Sequence, residues 1–218
     1  MRALVLGHGY SAGFLTPMLR AEGWEVLGTT RAAPGRVRDA GAEPLLWDRD
    51  ATRIADEIGR TDAILVSAGP EQGRDPTLAA FAPAFARARP AWLGYLSTTG
   101  VYGDHGGAWI DETRALRPQT ARARRRVAAE SALRAFGRAA GTCTSILRIP
   151  GIYAPDREGG TPEARLRRGT PALAREDDVY TNHIHADDLA QALRAALWRG
   201  RPQRVGLLRS HPGRLGRG

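Results

Sequence analysis

A short apolar run followed at once by spaced glycines limits the fold of this chain more than any other feature. Residues Arg2–Leu6 form an apolar stretch of strand length, and Gly7, Gly9 and Ala12 follow it in the spacing G-x-G-x-x-A. A helical pattern of apolar residues comes next, and a second strand-like run covers residues 24–29. The order strand, tight turn, helix and strand predicts a βαβ unit with parallel strands.

The same alternation continues to residue 150. Further strands are predicted at residues 44–47, 63–67, 92–97 and 144–149, with helices at 14–21, 52–58, 78–87 and 120–140. Short apolar strands that alternate with helices indicate an α/β fold with a doubly wound parallel sheet, the Rossmann fold. We therefore expect one sheet domain over residues 1–150.

The character of the sequence changes after Pro150. A short helix at residues 162–168, a brief strand at 181–185 and an amphipathic helix at 187–199 predict a partial second lobe over residues 151–204. Residues 205–218 are basic, punctuated by glycine and proline and without periodicity, which predicts a disordered tail.

Composition narrows the functional classes. The formal charge is +9, yet the chain has no lysine, so all 32 basic residues are arginine, and they are scattered with few aromatic neighbours. Such a bias is typical of a GC-rich genome, so we expect no nucleic-acid partner, although a basic interaction module for nucleic acid stays as a third interpretation. The single cysteine, Cys143, and the lack of a long apolar segment predict a cytoplasmic protein without a membrane span.

The glycine turn has the structural context of a dinucleotide-binding site. Gly7 permits the tight turn, Gly9 lets the backbone approach a pyrophosphate, and Ala12 allows helix and strand to pack closely. The helix N-terminus presents free N–H groups and a positive dipole end to the phosphates, and Tyr10 and Ser11 in the turn before it are expected to contact the cofactor. The alternative is an ordinary strand–turn–helix whose glycines serve only the turn.

The end of the second strand favours NADP over NAD. An Asp or Glu there would bond the ribose hydroxyls and repel a 2′-phosphate, but this chain has Thr30 and Arg31 instead. A guanidinium matches the extra phosphate in charge and geometry. NAD remains the alternative, because Arg31 could simply face solvent.

Five motifs in order resemble the extended short-chain dehydrogenases/reductases. They are GHGYSAG (7–13), DAILVSAG (62–69), YLSTTGVYGD (95–104), LRIPGIY (147–153) and HIHADDL (183–189). The set is similar to the NAD-dependent epimerase/dehydratase family, and within it to atypical members, over about residues 1–205. The pattern stops after Pro202, whereas the substrate lobe of that branch usually continues, so we expect an incomplete lobe; a truncated reading frame would explain it.

The resemblance implies positions for the site. Thr98 would hydrogen-bond the substrate oxygen, Ser97 just before it would contact the cofactor, and Asp48 would approach the adenine edge. The adenosine and pyrophosphate side would be lined by Ser67, Ala68 and Gly69, and the nicotinamide would lie near Pro150, Gly151 and Ile152. Two alternatives stay open: Ser97 and Thr98 could merely end a strand, and Asp48 could cap the following helix.

The family's catalytic Tyr-x-x-x-Lys pair is absent from a chain without lysine. Counted back from Glu130, which matches the family's Ala-Glu, the two positions fall on Arg122 and Arg126, at i and i+4 of one helix. Neither arginine can act as a general base at neutral pH. By the resemblance, Arg126 would bond the nicotinamide ribose and Arg122 a carboxylate, phosphate or oxyanion; alternatively, both belong to a solvated helix face.

These observations favour an NAD(P)-binding oxidoreductase or epimerase/dehydratase that acts on a small carbonyl or sugar-like substrate without the Tyr-Lys pair. The alternative is a non-catalytic NADP-binding sensor or regulator. His183 and His185 lack further ligands at suitable spacing, so no metal is expected. A small molecule is the expected partner, and a homodimer stays open.

Overall fold

Seven parallel strands form the central sheet of the protein, in the order β3-β2-β1-β4-β5-β6-β9. The computed structural model describes residues 1–70, 75–157, 161–169, 182–200 and 204–207. Strands β7 and β8 form a separate parallel ladder. The strands are β1 (Arg2–Leu6), β2 (Glu25–Thr30), β3 (Glu43–Leu46), β4 (Ala63–Val66), β5 (Trp92–Thr98), β6 (Cys143–Ile149), β7 (Gly151–Tyr153), β8 (His183–His185) and β9 (Arg204–Leu207).

Helices connect the parallel strands, as crossover connections require. They are α1 (Tyr10–Ala21), α2 (Pro34–Asp39), α3 (Ala51–Arg60), α4 (Pro76–Arg87), α5 (Ala121–Ala140), α6 (Pro162–Arg167) and α7 (Ala186–Arg199), and a 3-10 turn covers Thr99–Val101. Within the described ranges, no helix combines the length and the apolar character needed to cross a bilayer.

The side chains of successive strand residues belong to two separate hydrophobic cores, one on each face of the sheet. On one face of the sheet, Val5 and Leu65 pack with Leu193 of α7 and with residues of α1. On the other face, Leu4 and Ile64 pack with residues of α3, α4 and α5. Side chains alternate between faces along a strand, and both faces are covered, so the strands read as continuous apolar runs. This arrangement confirms the predicted doubly wound Rossmann fold.

Two local expectations need correction. Helix α2 lies where no helix was predicted, because it is only six residues long and buries a single side chain, that of Val37. The predicted disorder from residue 205 onward is wrong for its first three residues, because strand β9 pairs with β6, for example Val205 with Ile146. Strand β9 has only four residues, so it shows little periodicity in the sequence. Its hydrogen bonds are made with β6, which is distant in the chain.

Other expectations after residue 150 fall partly outside the described residues. The short helix, the brief strand and the amphipathic helix are observed as α6, β8 and α7. Thr181, predicted to begin the strand, and the tail from residue 208 lie outside the described residues. The division into domains at residues 150 and 204 stays a prediction.

Candidate cofactor and substrate site

The turn after β1 can be made only by glycine at its first position. Gly7 has φ +89°, and a Cβ at this residue would lie 2.6 Å from the backbone nitrogen of Ala68. The turn is also tied to β2, because the N–H of Gly7 donates to Thr29 Oγ1 and the N–H of His8 donates to Thr29 O, both at 2.8 Å. The backbone bend at the carboxyl end of β1 is therefore fixed by contacts on both sides.

Gly9 differs from Gly7, because no contact with a described residue requires glycine there. Among the described atoms, a Cβ on Gly9 would meet only the carbonyl oxygen of Gly7, at 3.9 Å. Gly9 is the N-cap of α1, whose first turn carries no acidic residue, while Ala12 is fully buried. The N–H groups at the start of α1 can therefore face an anion, as can the partly exposed residues Tyr10 and Ser11.

His8 is a buried member of the turn that the sequence reasoning missed. Its Nε2 hydrogen-bonds Thr16 Oγ1 at 2.8 Å, and its ring fills the space that a Cβ on Gly28 would need. Burial lowers the pKa of His8, and the positive charge of Arg36 lowers it further. The ring therefore favours the neutral form and packs the turn against β2.

A cleft of about 370 Å³ opens beside this turn at the carboxyl edge of the sheet. Its described lining contains two arginines and no carboxylate. The lining residues are Gly7, His8, Gly9, Thr29, Thr30, Arg31, Ala32, Ala33, Arg36, Trp47, Ala68, Gly69 and Pro76. Six of these were predicted from the sequence (Gly7, Gly9, Thr30, Arg31, Ala68 and Gly69), and Arg36 was missed because α2 was not foreseen.

Asp48 lies just beyond this lining. It is exposed in the turn after β3, next to Trp47, which packs edge-on against Phe81 at 5.2 Å. The N-cap of α3 is Asp50, not Asp48. Capping by Asp48 is therefore wrong, and its contact with adenine stays a prediction. Another depression, of about 480 Å³, lies at the opposite end of the strands, around Arg2 and Glu43, and contains none of the predicted residues.

The two arginines predicted at the positions of the family's catalytic pair, Arg122 and Arg126, have different surroundings. Arg126 is 9% exposed, and its Nη1 donates to Leu96 O at 2.5 Å and to the hydroxyl of Tyr95 at 3.2 Å. A Cβ on Gly69 would lie 3.4 Å from Arg126 Nη2, so this side chain spans from α5 to the end of β4. Arg122 is exposed in the first turn of α5. The alternative that both arginines belong to a solvated helix face is therefore wrong for Arg126, and the proposed roles of the two residues stay predictions.

A buried ionic network lies directly behind the predicted substrate residue. Glu130 of α5 accepts from Arg148 Nη2 at 2.7 Å and Nε at 3.2 Å, and from Ser97 Oγ at 2.5 Å. Arg148 Nη1 also donates to the hydroxyl of Tyr102 at 2.8 Å and lies over its ring. These bonds raise the pKa of Arg148 although burial acts to lower it. Ser97, predicted to contact the cofactor, instead directs its hydroxyl to a buried carboxylate.

Thr98 ends β5 at the carboxyl edge and is partly exposed. Its Oγ1 accepts from the N–H of Gly100 at 3.2 Å, which leaves the hydroxyl hydrogen able to donate. Tyr95, three residues earlier, is fully buried, and burial raises its pKa to about 12 despite the nearby charge of Arg126. Tyr95 therefore stays protonated and cannot act as a base at neutral pH.

The last predicted residues follow β6 at the same edge. Pro150 is buried between β6 and β7, and within β7 Gly151 is exposed and Ile152 is half-buried. His183 and His185 lie on one face of the β7–β8 ladder against the ring of Tyr153. Their ring centroids are 6.4 and 5.2 Å from the centroid of the Tyr153 ring. Among the described residues, no group of three or more His, Cys, Asp or Glu is arranged to hold a metal ion.

Known proteins provide a family for this architecture. The sequence matches the model of the NAD dependent epimerase/dehydratase family over residues 3–206. A conserved protein of unknown function from Silicibacter pomeroyi DSS is 35% identical, with a TM-score of 0.80 over 96% of this chain and 72% of that chain. No curated protein matches the sequence.

Two structures with more distant sequences share the fold. The UDP-glucose 4-epimerase from Thermus thermophilus, in complex with NAD, is 21% identical, with a TM-score of 0.75 over 96% of this chain and 78% of that chain. DesIV, a dTDP-glucose 4,6-dehydratase from Streptomyces venezuelae with NAD and TYD bound, is 20% identical, with a TM-score of 0.76 over 95% and 75% of the two chains. The match over residues 3–206, with the fold described above, shows that the chain belongs to the NAD dependent epimerase/dehydratase family.

Proposed function

We propose that this protein binds NADP in the cleft beside Gly7 and acts on a small carbonyl or sugar-like substrate. The observation that carries the proposal is the lining of the cleft, which combines a glycine turn and a helix N-terminus with Arg31 and Arg36. The described lining has no carboxylate to repel a 2′-phosphate. NAD is the alternative cofactor.

The residues present fit each part of this cofactor. The space next to Gly9, where a side chain has no contact closer than 3.9 Å, suits the close approach of a diphosphate to the first turn of α1. Thr30 and the two arginines suit the adenosine ribose and its phosphate, because a guanidinium forms paired, charge-assisted hydrogen bonds with phosphate oxygens. Trp47 supplies an apolar wall for the adenine beside Asp48.

Arg126 is the second contact that we propose. Its Nη1 is held by Leu96 O, while Nη2 lies next to Gly69 at the end of β4. From this position it can bond the nicotinamide ribose or the adjacent phosphate, as the lysine of the family would. Ser67, Ala68, Pro150, Gly151 and Ile152 remain proposed contacts at the same edge of the sheet.

The substrate side rests on Thr98 and Arg122. NADP, when bound, would supply or accept a hydride at the substrate carbon. The Thr98 hydroxyl can hydrogen-bond the substrate oxygen, and Arg122, permanently charged, can stabilise a carboxylate, phosphate or developing oxyanion. The nucleotide sugars in the names of the Thermus epimerase and DesIV make a sugar-like substrate a reasonable class. We keep the cytoplasm as the expected location, and a homodimer stays open.

Titration of the protein with NADPH and with NADH, followed by nicotinamide fluorescence, tests the cofactor proposal. The wild type should bind NADPH more tightly than NADH, and Arg31→Asp should reverse this preference. Arg36→Gln should lower the affinity for NADPH by about tenfold and leave the affinity for NADH unchanged. Arg53→Gln, in an exposed ion pair with Glu43, is the matched control. Absence of binding of either nucleotide at millimolar concentration would refute the proposal.

A second candidate function is a non-catalytic NADP sensor, favoured by the absence of any lysine from the chain. Turnover of a panel of carbonyl compounds with NADPH separates the two. An enzyme should reduce at least one member, and Thr98→Ala should lower that rate by about tenfold to a hundredfold. Tight binding of NADPH with no turnover of any compound would favour the sensor.

A further inference from the structure

The loop after β7 reaches across the start of α1 and places a charged side chain there. Asp156 Oδ1 accepts a hydrogen bond from the hydroxyl of Tyr10 at 2.7 Å. The guanidinium carbon of Arg157 lies 5.2 Å from the centroid of the same ring, which also contacts Phe14 at 5.1 Å. Tyr10 is the first residue of α1, directly after Gly9, so the second lobe touches the glycine turn at this point.

The guanidinium of Arg157 is held in place but has spare hydrogen-bonding capacity. The guanidinium contacts the face of the Tyr10 ring, and the backbone N–H of Arg157 donates to Ala154 O at 3.1 Å, which closes a turn in the loop. Its Nη1 is shielded from solvent and makes no hydrogen bond with any residue that the structure describes. A buried donor of this kind costs free energy unless a partner supplies an acceptor, and an anion is the best acceptor for an arginine.

We infer that Arg157 binds the diphosphate of the dinucleotide and thereby clamps it between the loop after β7 and the first turn of α1. The inference rests on the proposed NADP site. The diphosphate belongs beside Gly9 and the first turn of α1, whereas the two arginines of the cleft, Arg31 and Arg36, lie toward the adenosine end. Arg157 would provide the cation at the other end of the same site.

The clamp has a consequence for the second lobe. The glycine turn, the arginines of the cleft and Arg126 all precede residue 150, whereas Arg157 follows it. The affinity for the cofactor then depends on a loop of the lobe that contacts the substrate. The negative charge of Asp156 lies beside the same site and repels an anion. Of the neighbouring residues Asp156 and Arg157, only Arg157 therefore favours binding of the diphosphate.

Calorimetric titration of the wild type and of Arg157→Gln with three probes tests the inference. The probes are NADPH, 2′-phospho-ADP-ribose, which keeps the diphosphate but lacks the nicotinamide, and 2′-AMP, which lacks the diphosphate. We expect Arg157→Gln to lower the affinity for NADPH and for 2′-phospho-ADP-ribose by about tenfold or more. The affinity for 2′-AMP should stay within about twofold of the wild-type value. Arg157→Lys should recover part of the loss, and Tyr10→Phe, which keeps the stacking ring, should change NADPH affinity less than Arg157→Gln.

The outcomes separate this inference from the proposed function. Unchanged affinity of Arg157→Gln for NADPH, or an equal loss for all three probes, overturns the clamp while leaving the NADP site intact. A wild type that binds none of the probes overturns both. Thermal midpoints measured without ligand should stay within a few degrees for all variants, and Arg157→Lys provides the same test if Arg157→Gln fails to fold.

Discussion

The glycine turn and the start of α5 lie at the same edge of the sheet, yet they follow the family pattern to different degrees. At the turn, backbone geometry sets the residues: Gly7 has a positive φ and no room for a Cβ, so the motif is retained. At α5, side-chain chemistry sets the residues, and the resemblance predicts that Arg122 and Arg126 stand at the two positions of the Tyr-Lys pair. A fold strictly limits which residues can occupy its tight backbone turns. Elsewhere a different side chain is tolerated wherever its polar groups can form hydrogen bonds or ion pairs or stay exposed to solvent.

The neighbours of α5 satisfy its arginines to different extents. Arg126 is bonded to Leu96 O and Tyr95, and one turn later Glu130 pairs with Arg148. Arg122 is exposed. The buried part of this helix is therefore bonded to the rest of the fold, whereas Gly7 and Gly9 of the glycine turn line the cleft. Substitutions in the two regions should differ in whether they affect stability or ligand binding.

Loss of the buried ion pair should give the largest effect on stability. Glu130→Gln leaves the Arg148 guanidinium buried without its carboxylate, which should lower the free energy of unfolding by about 3–5 kcal/mol. Glu43→Gln in the exposed pair with Arg53 should change it by less than about 1 kcal/mol. Urea denaturation of both variants measures the difference, and a loss for Glu130→Gln as small as for the control would show that the network is not structural.

The two glycines of the turn should give opposite kinds of loss. Gly7→Ala forces a side chain into a positive φ and against Ala68, so we expect a loss of about 2–4 kcal/mol in the free energy of unfolding. Gly9→Ala has no such contact and should cost about 1 kcal/mol or less, yet it should weaken NADPH binding by about a hundredfold. Urea denaturation and NADPH titration measure the two effects. Normal NADPH affinity in Gly9→Ala would contradict the proposed approach of the diphosphate.

The smallest effect concerns pH. The pKa of His8 is lower in the folded protein than its ordinary value of 6.5, so the unfolded chain binds the proton more strongly. The contribution of His8 is therefore present above pH 6.5 and is lost as the pH falls below it. Between pH 8 and pH 5.5, the wild type should lose about 1 kcal/mol more stability than His8→Gln. Parallel stability curves for the two proteins would show that His8 titrates normally.

The sequence predicted the first half of the molecule well for a physical reason. Fully buried parallel strands require apolar runs, and tight turns require glycine, so β1, the turn and β2 can be read locally. The cleft residues Thr30 and Arg31 followed from the position of β2, whereas Gly69 followed from the family resemblance. Arg36 could not be found in this way, because the six residues of α2 bury only Val37 and carry almost no periodic signal.

The partners of polar side chains were not accessible from the sequence. Ser97 and Glu130 lie 33 residues apart, and Tyr10 and Asp156 lie 146 residues apart. The spacing of Arg122 and Arg126 gave a common helix face, but burial depends on where the sheet edge ends. Strand β9 likewise depends on a hydrogen-bonding partner in β6.

By itself the sequence determined the doubly wound sheet, the glycine turn and the loss of the Tyr-Lys pair, because each depends on residue type and on spacing within one or two elements. The tertiary structure decided which arginines are exposed, which are paired in the interior and which is stacked at the start of α1. These outcomes depend on contacts between elements far apart in the chain, where burial makes a charge either costly or paired.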